Sequence, residues 1–325
     1  MATVYRALHE GLDKVVALKV LHTAVADDPE YRGRFLREGR AAARLDHPNL
    51  VRAFEAGHKG GRYYLSMELI EGEDLALRLD REGKLAPEEA LRIGIELCKA
   101  LAAAEDAGMI HRDVKAENVL LGDDGRVMLA DLGLAKIQGD GSLTREGYTM
   151  GTVAYFSPEQ CTGRKDLDIR SDLYALGVLL YYSLRGVLPH GRGDKPIVTM
   201  EAILRDPAPP LSEARADLSP ALLRAIGTLL EKERDDRPAS AREARHLLEE
   251  AAAGRSVNPE GSGERPGARR RRRRRGSVRT TSRRGPEIGL ILLALAILAA
   301  LIFLTPLLSQ GQEAYAGPPQ GQGAR

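Results

Sequence analysis

The chain has 325 residues, with 48 Lys and Arg against 46 Asp and Glu, two cysteines and no tryptophan. The near-neutral total hides a division: residues 251–325 hold 13 Lys and Arg and 4 Asp and Glu, leaving 35 against 42 in residues 1–250. A mildly acidic globular part argues against a general nucleic-acid binder, and the length leaves little over for a second large domain.

In chain order, residues 15–21 (Val-Val-Ala-Leu-Lys-Val-Leu) read as a strand from which Lys19 projects. Residues 31–45 read as a helix that carries Glu38 and ends at His47-Pro48-Asn49. Apolar Val119-Leu120-Leu121 and Val127-Met128-Leu129-Ala130 flank Gly122-Asp123-Asp124-Gly125, a two-strand hairpin with turn residues at its tip. Asp113 and Asn118 lie before its first strand and Asp131 closes its second, so the hairpin carries oxygen ligands to one end of a small sheet. Mg²⁺ takes a few such hard oxygens together with substrate phosphates and water. Asn118 and Asp131 are the expected metal ligands.

The run His111-Arg112-Asp113-Val114-Lys115-Ala116-Glu117-Asn118, followed by Asp131-Leu132-Gly133, resembles the catalytic core of bacterial eukaryotic-like Ser/Thr protein kinases. Other pieces agree. Val16-Ala17-Leu18-Lys19 matches the family's Val-Ala-x-Lys strand, and residues 62–72 resemble the strand and hinge between its two lobes. The polar, Gly-, Ser- and Thr-rich stretch after Asp131 ends at Gly151-Thr152-Val153-Ala154-Tyr155-Phe156-Ser157-Pro158-Glu159, similar to an activation segment closed by an Ala-Pro-Glu variant. Residues 171–177 match the buried helix whose Asp172 steadies the catalytic loop. Arg237, in Asp235-Asp236-Arg237-Pro238, matches the late arginine expected to pair with Glu159.

The resemblance runs from the first residues to about Glu250 and implies an α+β, two-lobed fold. A small lobe of twisted antiparallel sheet and one helix would sit on a mostly helical lobe, with ATP and Mg²⁺ between them. Asp113 would accept or orient the proton of a substrate hydroxyl, and Lys115 would neutralise the transferring phosphoryl group. A Lys at this position points to Ser/Thr substrates. Lys19 would grip the α- and β-phosphates, paired with Glu38. Met67 would guard the back of the adenine pocket, with Val4, Ala17 and Leu120 as apolar walls. Backbone groups of Glu68 and Ile70 would bond the purine edge, and Asp74 would lie near the ribose. Thr152 would bond near Asp113. Thr144 and Thr149, then Ser142, are the expected phosphate acceptors, with Arg112 as a cationic partner.

The chain also departs from the family. Residues 1–7 correspond to the end of the glycine-rich loop and the strand after it, with Ala2 at the third glycine. The earlier strand and glycines, whose N–H groups cradle phosphates, are expected upstream of a start assigned at an internal Met. The alternative is a shortened, catalytically weak or inactive pseudokinase acting as a membrane-anchored adaptor. A small-molecule kinase is a third reading, disfavoured by Thr152 and Ser157-Pro158-Glu159. Leu132 replaces the usual Phe and Ala116 a common Pro.

Beyond Ala253 the sequence turns to Gly, Ser, Pro and Arg, with an unbroken arginine run from Arg269 to Arg275. Residues 251–287 are expected to be a disordered linker. Residues 288–308 form an uncharged stretch of 21 residues, long enough to cross a bilayer. The arginines before it are expected to stay cytoplasmic and hold acidic lipid head groups. The expected organisation is a kinase domain over 1–250, the linker, a single span and a short tail outside the membrane over 309–325. Expected partners are protein substrates with Ser or Thr, a second copy for trans-autophosphorylation, and membrane lipid, with no nucleic acid. No cleavable leader is visible at the N-terminus. Cys98 and Cys161 are expected to be free thiols.

Overall fold

The computed structural model describes residues 2–26, 28–132, 150–191 and 195–254. Val15, Val16 and Val20 favour extended backbone, and β2 (Lys14–Leu21) forms over them. It pairs antiparallel with β1 (Ala2–His9), placing Ala2 opposite Leu21 and Val4 opposite Lys19. On the other side of β2 lies β4 (Arg62–Glu68), with Ala17 opposite Met67 and Lys19 opposite Leu65. β3 (Ala53–Lys59) completes the order β1-β2-β4-β3. Gly60 and Gly61 join β3 to β4 with φ of 57° and 75°, the paired left-handed residues of a tight two-residue hairpin. β1 is one of the two edge strands and leaves Val4, Tyr5 and Leu8 exposed.

Two helices accompany this sheet, α1 (Thr23–Ala26) and α2 (Pro29–Ala42). The sequence reading anticipates only the second. α2 packs against β3, and Leu21, Phe35, Ala53 and Leu65 are the buried core between them. The approach is close at Gly39, where a Cβ would stand 2.7 Å from the Cβ of Ala56. α2 stops short of the expected Leu45. Arg44 N bonds Ala41 O and Leu45 N bonds Ala42 O, tightening the last turn ahead of His47-Pro48. A proline biases the residue before it away from helical backbone.

The rest of the described chain is mainly helical. β5 (Gly72–Asp74) follows the end of β4 and leads into α3 (Leu75–Glu82), whose first turn is capped by the Asp74 carboxylate. α4 (Pro87–Asp106) and α7 (Ile169–Arg185) run through the centre. In α7, 14 of 17 residues are buried, which requires cover on every side. α10 (Pro220–Leu229) and α11 (Ala241–Ala252) supply part of that cover. The short α5 (Met150–Val153), α6 (Pro158–Cys161) and α9 (Leu211–Ala214), with α8 (Pro196–Arg205), complete the helical lobe. The predicted hairpin forms as β6 (Val119–Gly122) and β7 (Val127–Leu129), in a second sheet of order β5-β6-β7. Both cysteines are free and buried, and burial pushes the Cys161 thiol up to about 12.

The segment after α2 ties the lobes together. Val51 N donates to Leu129 O at 3.0 Å and Leu129 N to Asn49 O at 2.8 Å. The Asn49 side chain donates to Glu96 Oε2 on α4 at 3.0 Å and to Val127 O at 2.9 Å. No helix among the described residues is long and apolar enough to cross a membrane. The expected span, the arginine run, the tail, and Ser142, Thr144 and Thr149 lie outside the described residues.

The helical lobe is stapled by one buried ion pair. Arg237 Nη1 and Nη2 donate to Glu159 Oε1 and Oε2 at 2.8 and 3.0 Å, and Ser171 Oγ adds a bond of 2.7 Å to Oε1. Burial pushes the Glu159 carboxyl up, but the bonds from Arg237 and Ser171 bring it below the ordinary range. Removing one partner leaves the other buried and charged. Arg237→Ala is therefore expected to cost about 3–5 kcal/mol, read as a fall in Tm by calorimetry. A depressed carboxylate contributes stability above its unfolded pKa and loses it as pH falls through the folded one. The Tm gap between wild type and Arg237→Ala should accordingly be full at neutral pH and narrow below the ordinary carboxylate range, down to what the bonds from Arg237 to the carbonyls of Glu231, Arg170 and Lys232 contribute at any pH.

Candidate active site

The loop before β6 is held from beneath by α7. Asp172, 1% exposed, accepts from His111 N and Arg112 N, each at 2.7 Å. Burial pushes its carboxyl up, opposed by His111 and by the two backbone donors. Arg112 adopts φ of 68°, a conformation strained for any residue with a Cβ. His111 Nδ1 accepts from Asp113 N at 3.3 Å, so Nε2 carries the hydrogen and donates to Ala130 O at 2.8 Å. One ring thus connects the loop to the end of β7.

Asp113, Lys115 and Asn118 converge. Lys115 Nζ and Asn118 Nδ2 each lie 3.0 Å from Asp113 Oδ2. Asn118 Nδ2 also donates to Asp113 O at 2.8 Å, and Lys115 Nζ to Thr152 Oγ1 at 3.2 Å. Ala130 N donates to Asn118 O at 2.8 Å, which holds the start of β6 beside the residue preceding Asp131. Asp131 has φ of 62°, a second left-handed non-glycine in the same small region.

From the sheet lobe, Lys19 Nζ reaches Asp131 Oδ2 at 2.7 Å. Glu38, the expected partner of Lys19, is buried on α2, 7% exposed. The Tyr31 hydroxyl on the same helix is pushed up by burial and by the charge of Glu38. The pocket residues fall on strands of both sheets. Ala17 and Met67 are buried opposite each other on β2 and β4, Val4 is on β1, and Leu120 is on β6 opposite Asp74. Glu68 ends β4, with a carboxylate 3.0 Å from Arg126, and Ile70 stands between β4 and β5. Asp74 Oδ1 accepts from Leu77 N at 2.9 Å, so its carboxylate also serves α3.

Some of this is invisible in the sequence. The Lys19–Asp131 contact has no local signal, because the partners are 112 residues apart. Asn49 reads only as a helix end, and its bonds to α4 and β7 carry no motif. Gln160 follows the Ser-Pro-Glu motif without belonging to it.

Residues 1–250 match the model of the protein kinase domain. The chain belongs to that family. It is similar to the serine/threonine-protein kinase pkn3 of Myxococcus xanthus, 41% identical over 252 residues, covering 74% of this chain and 46% of that protein. PknL of Mycobacterium tuberculosis is 44% identical over 188 residues, covering 58% and 47%. The crystal structure of the Mycobacterium tuberculosis PknI kinase domain shares the fold, with a TM-score of 0.62 and 31% identity over 77% of this chain and 91% of that one. This kinase chain spans about half the length of the curated relatives named here.

A protein kinase domain uses ATP and Mg²⁺, and the donor set fits the metal. Asn118 commits its amide nitrogen to Asp113, leaving the amide oxygen for a cation. Asp131 commits Oδ2 to Lys19, leaving Oδ1. An amide oxygen and a carboxylate are the hard ligands Mg²⁺ takes when phosphates and water fill its remaining positions.

Proposed function

We propose that this chain is an ATP-dependent Ser/Thr protein kinase that transfers the γ-phosphate to protein hydroxyls. The observation that carries the reading is the pair of part-buried ion pairs Lys115–Asp113 and Lys19–Asp131, on stretches of chain joined by the bond from Ala130 N to Asn118 O at 2.8 Å. The two carboxylates and two ammonium groups that phosphoryl transfer needs come together from three separate stretches of chain.

Asp113 orients the substrate hydroxyl and takes its proton. Asn118 and Lys115 hold Oδ2 of Asp113, which fixes the carboxylate toward one acceptor position. Lys115, also bonded to Thr152, supplies positive charge where the phosphoryl oxygens pass. Lys19 binds the α- and β-phosphates, with Glu38 steadying it from α2. Asn118 and Asp131 would hold Mg²⁺, which when bound would supply charge neutralisation to the phosphates. Val4, Ala17, Met67 and Leu120 wall the adenine, backbone groups of Glu68 and Ile70 bond its edge, and Asp74 lies by the ribose.

Mg²⁺-dependent transfer of labelled γ-phosphate to a protein substrate is the direct test. Asp113→Asn is expected to lower the rate about 10²–10⁴-fold while leaving the protein folded. Equal rates in the two proteins, or none in a folded wild type, would favour the adaptor reading instead.

Activation is proposed to run through phosphorylation of Thr144, Thr149 or Ser142 by a second copy. The fractional rate of autophosphorylation should then rise with protein concentration. A concentration-independent fractional rate would assign the step to a single copy.

The anchor is proposed at residues 288–308, with the kinase domain in the cytoplasm and Arg269 to Arg275 against acidic head groups. The sequence supports this through length and absence of charge. The full chain is expected to stay with membranes through an alkaline wash, and deletion of residues 288–308 to release it. Release of the full chain by the wash would rule the span out.

A further inference from the structure

Gln160, at the start of α6, makes bonds in two directions. Its Oε1 accepts from Ser157 N at 2.9 Å while Ser157 Oγ accepts from Gln160 N at 3.3 Å, a reciprocal capping box. Its Nε2 donates to Arg112 O at 3.2 Å, 48 residues back in the chain. The first pair of bonds fixes the amide orientation, since only an oxygen can accept from Ser157 N, and so the NH₂ group must face Arg112. A glutamate would serve the capping box equally well. It would have no donor for the carbonyl.

The Arg112 carbonyl belongs to the peptide that joins Arg112 to Asp113. The N–H of that peptide donates to His111 Nδ1 at 3.3 Å, so it is pinned at both ends. It follows directly on the strained residue, Arg112, which has φ of 68°. Asp172 holds the amide before this residue, and Gln160 holds the carbonyl after it. Rotation of that peptide would swing the Asp113 side chain away from Lys115 and Asn118. Gln160 also stands on the stretch of chain that continues from Thr152, whose hydroxyl accepts from Lys115.

We propose that Gln160 is a positioning residue for Asp113, keeping the peptide that follows the strained Arg112 in register with the segment expected to dock the substrate. The proposal rests on the kinase reading, so its test includes a measurement independent of activity. The two variants are Gln160→Glu, which keeps the capping box and loses the donor, and Ser219→Ala, which removes a similar cap from α10. Gln160→Glu is expected to lower kcat about tenfold or more, with KM for ATP within about twofold and a Tm loss no larger than that of Ser219→Ala. Ser219→Ala should lose Tm and keep kcat. A Gln160→Glu protein with wild-type kcat, or an equal loss in Ser219→Ala, would overturn the proposal. If wild type transfers no phosphate, the kinase reading fails, and amide exchange at Asp113 decides this one. Faster exchange in Gln160→Glu than in Ser219→Ala supports the pin, and equal exchange refutes it. If Gln160→Glu does not fold, Gln160→Met takes its place in both comparisons. If neither folds, the side chain serves the fold and not the placement of Asp113, and the proposal falls.

Discussion

The buried carboxylate of Asp172 is the constraint on which the site depends. It accepts two backbone N–H groups at 2.7 Å, and the second belongs to Arg112 in its left-handed conformation. Hydrogen bonds to a charged acceptor contribute about 1.5–3 kcal/mol each. A non-glycine residue in that region costs of order 1–3 kcal/mol. Burying the carboxylate offsets part of that gain, but without the fold neither donor has this partner, so the loop is held in a shape it would not take alone. Every side chain of the Asp113 cluster hangs from that shape.

Two kinds of ion pair occur in this chain and do different work. Glu159 and Arg237 are closed off, with side-chain exposures of 6% and 0%, and the contact is matched oxygen to nitrogen within the fold. Lys19–Asp131 and Lys115–Asp113 retain exposures of 17–25%. A partly hydrated pair lies between the weak surface limit and the buried limit, where desolvation offsets most of the attraction. Exchanging a carboxylate for phosphate oxygens beside such a lysine therefore carries a small net cost. The closed pair holds the lobe together; the open pairs are suited to exchange partners.

Legibility in the sequence follows locality. The 119–129 hairpin can be read because apolar runs and turn residues lie next to each other, and Asp172, Glu159 and Arg237 because each sits in a short recognisable motif. The left-handed residues cannot, because Arg112 and Asp131 carry no glycine signature and are strained only through distant bonds. The end of α2 is overextended in the sequence reading because charged and small residues continue past Ala42, and no glycine or proline marks the point where the last turn tightens. The sequence pairs Lys19 with Glu38 by the family's pattern but carries no signal for its contact with Asp131, which ties it to the helical lobe. Gln160 has the spacing of a capping residue, which it is; its second bond depends on a loop folded beneath it by α7.

The two lobes differ in how firmly they can hold what they carry. Among the described residues, the buried apolar cluster of the sheet lobe is Leu21, Phe35, Ala53 and Leu65. The cluster of the helical lobe extends from Leu50 to Ala251 and includes ten residues of α7, from Ile169 to Leu184. Local opening follows buried apolar contact, so the sheet lobe moves at lower cost. Asp113, Lys115, Asn118 and Asp131 are all mounted on the helical side, where their mutual distances are set whatever the other lobe does. Lys19 and Met67 are mounted on the sheet, and Lys19 crosses to Asp131. Variation in lobe closure therefore falls on the contacts assigned to the nucleotide, while the geometry around the hydroxyl acceptor stays fixed.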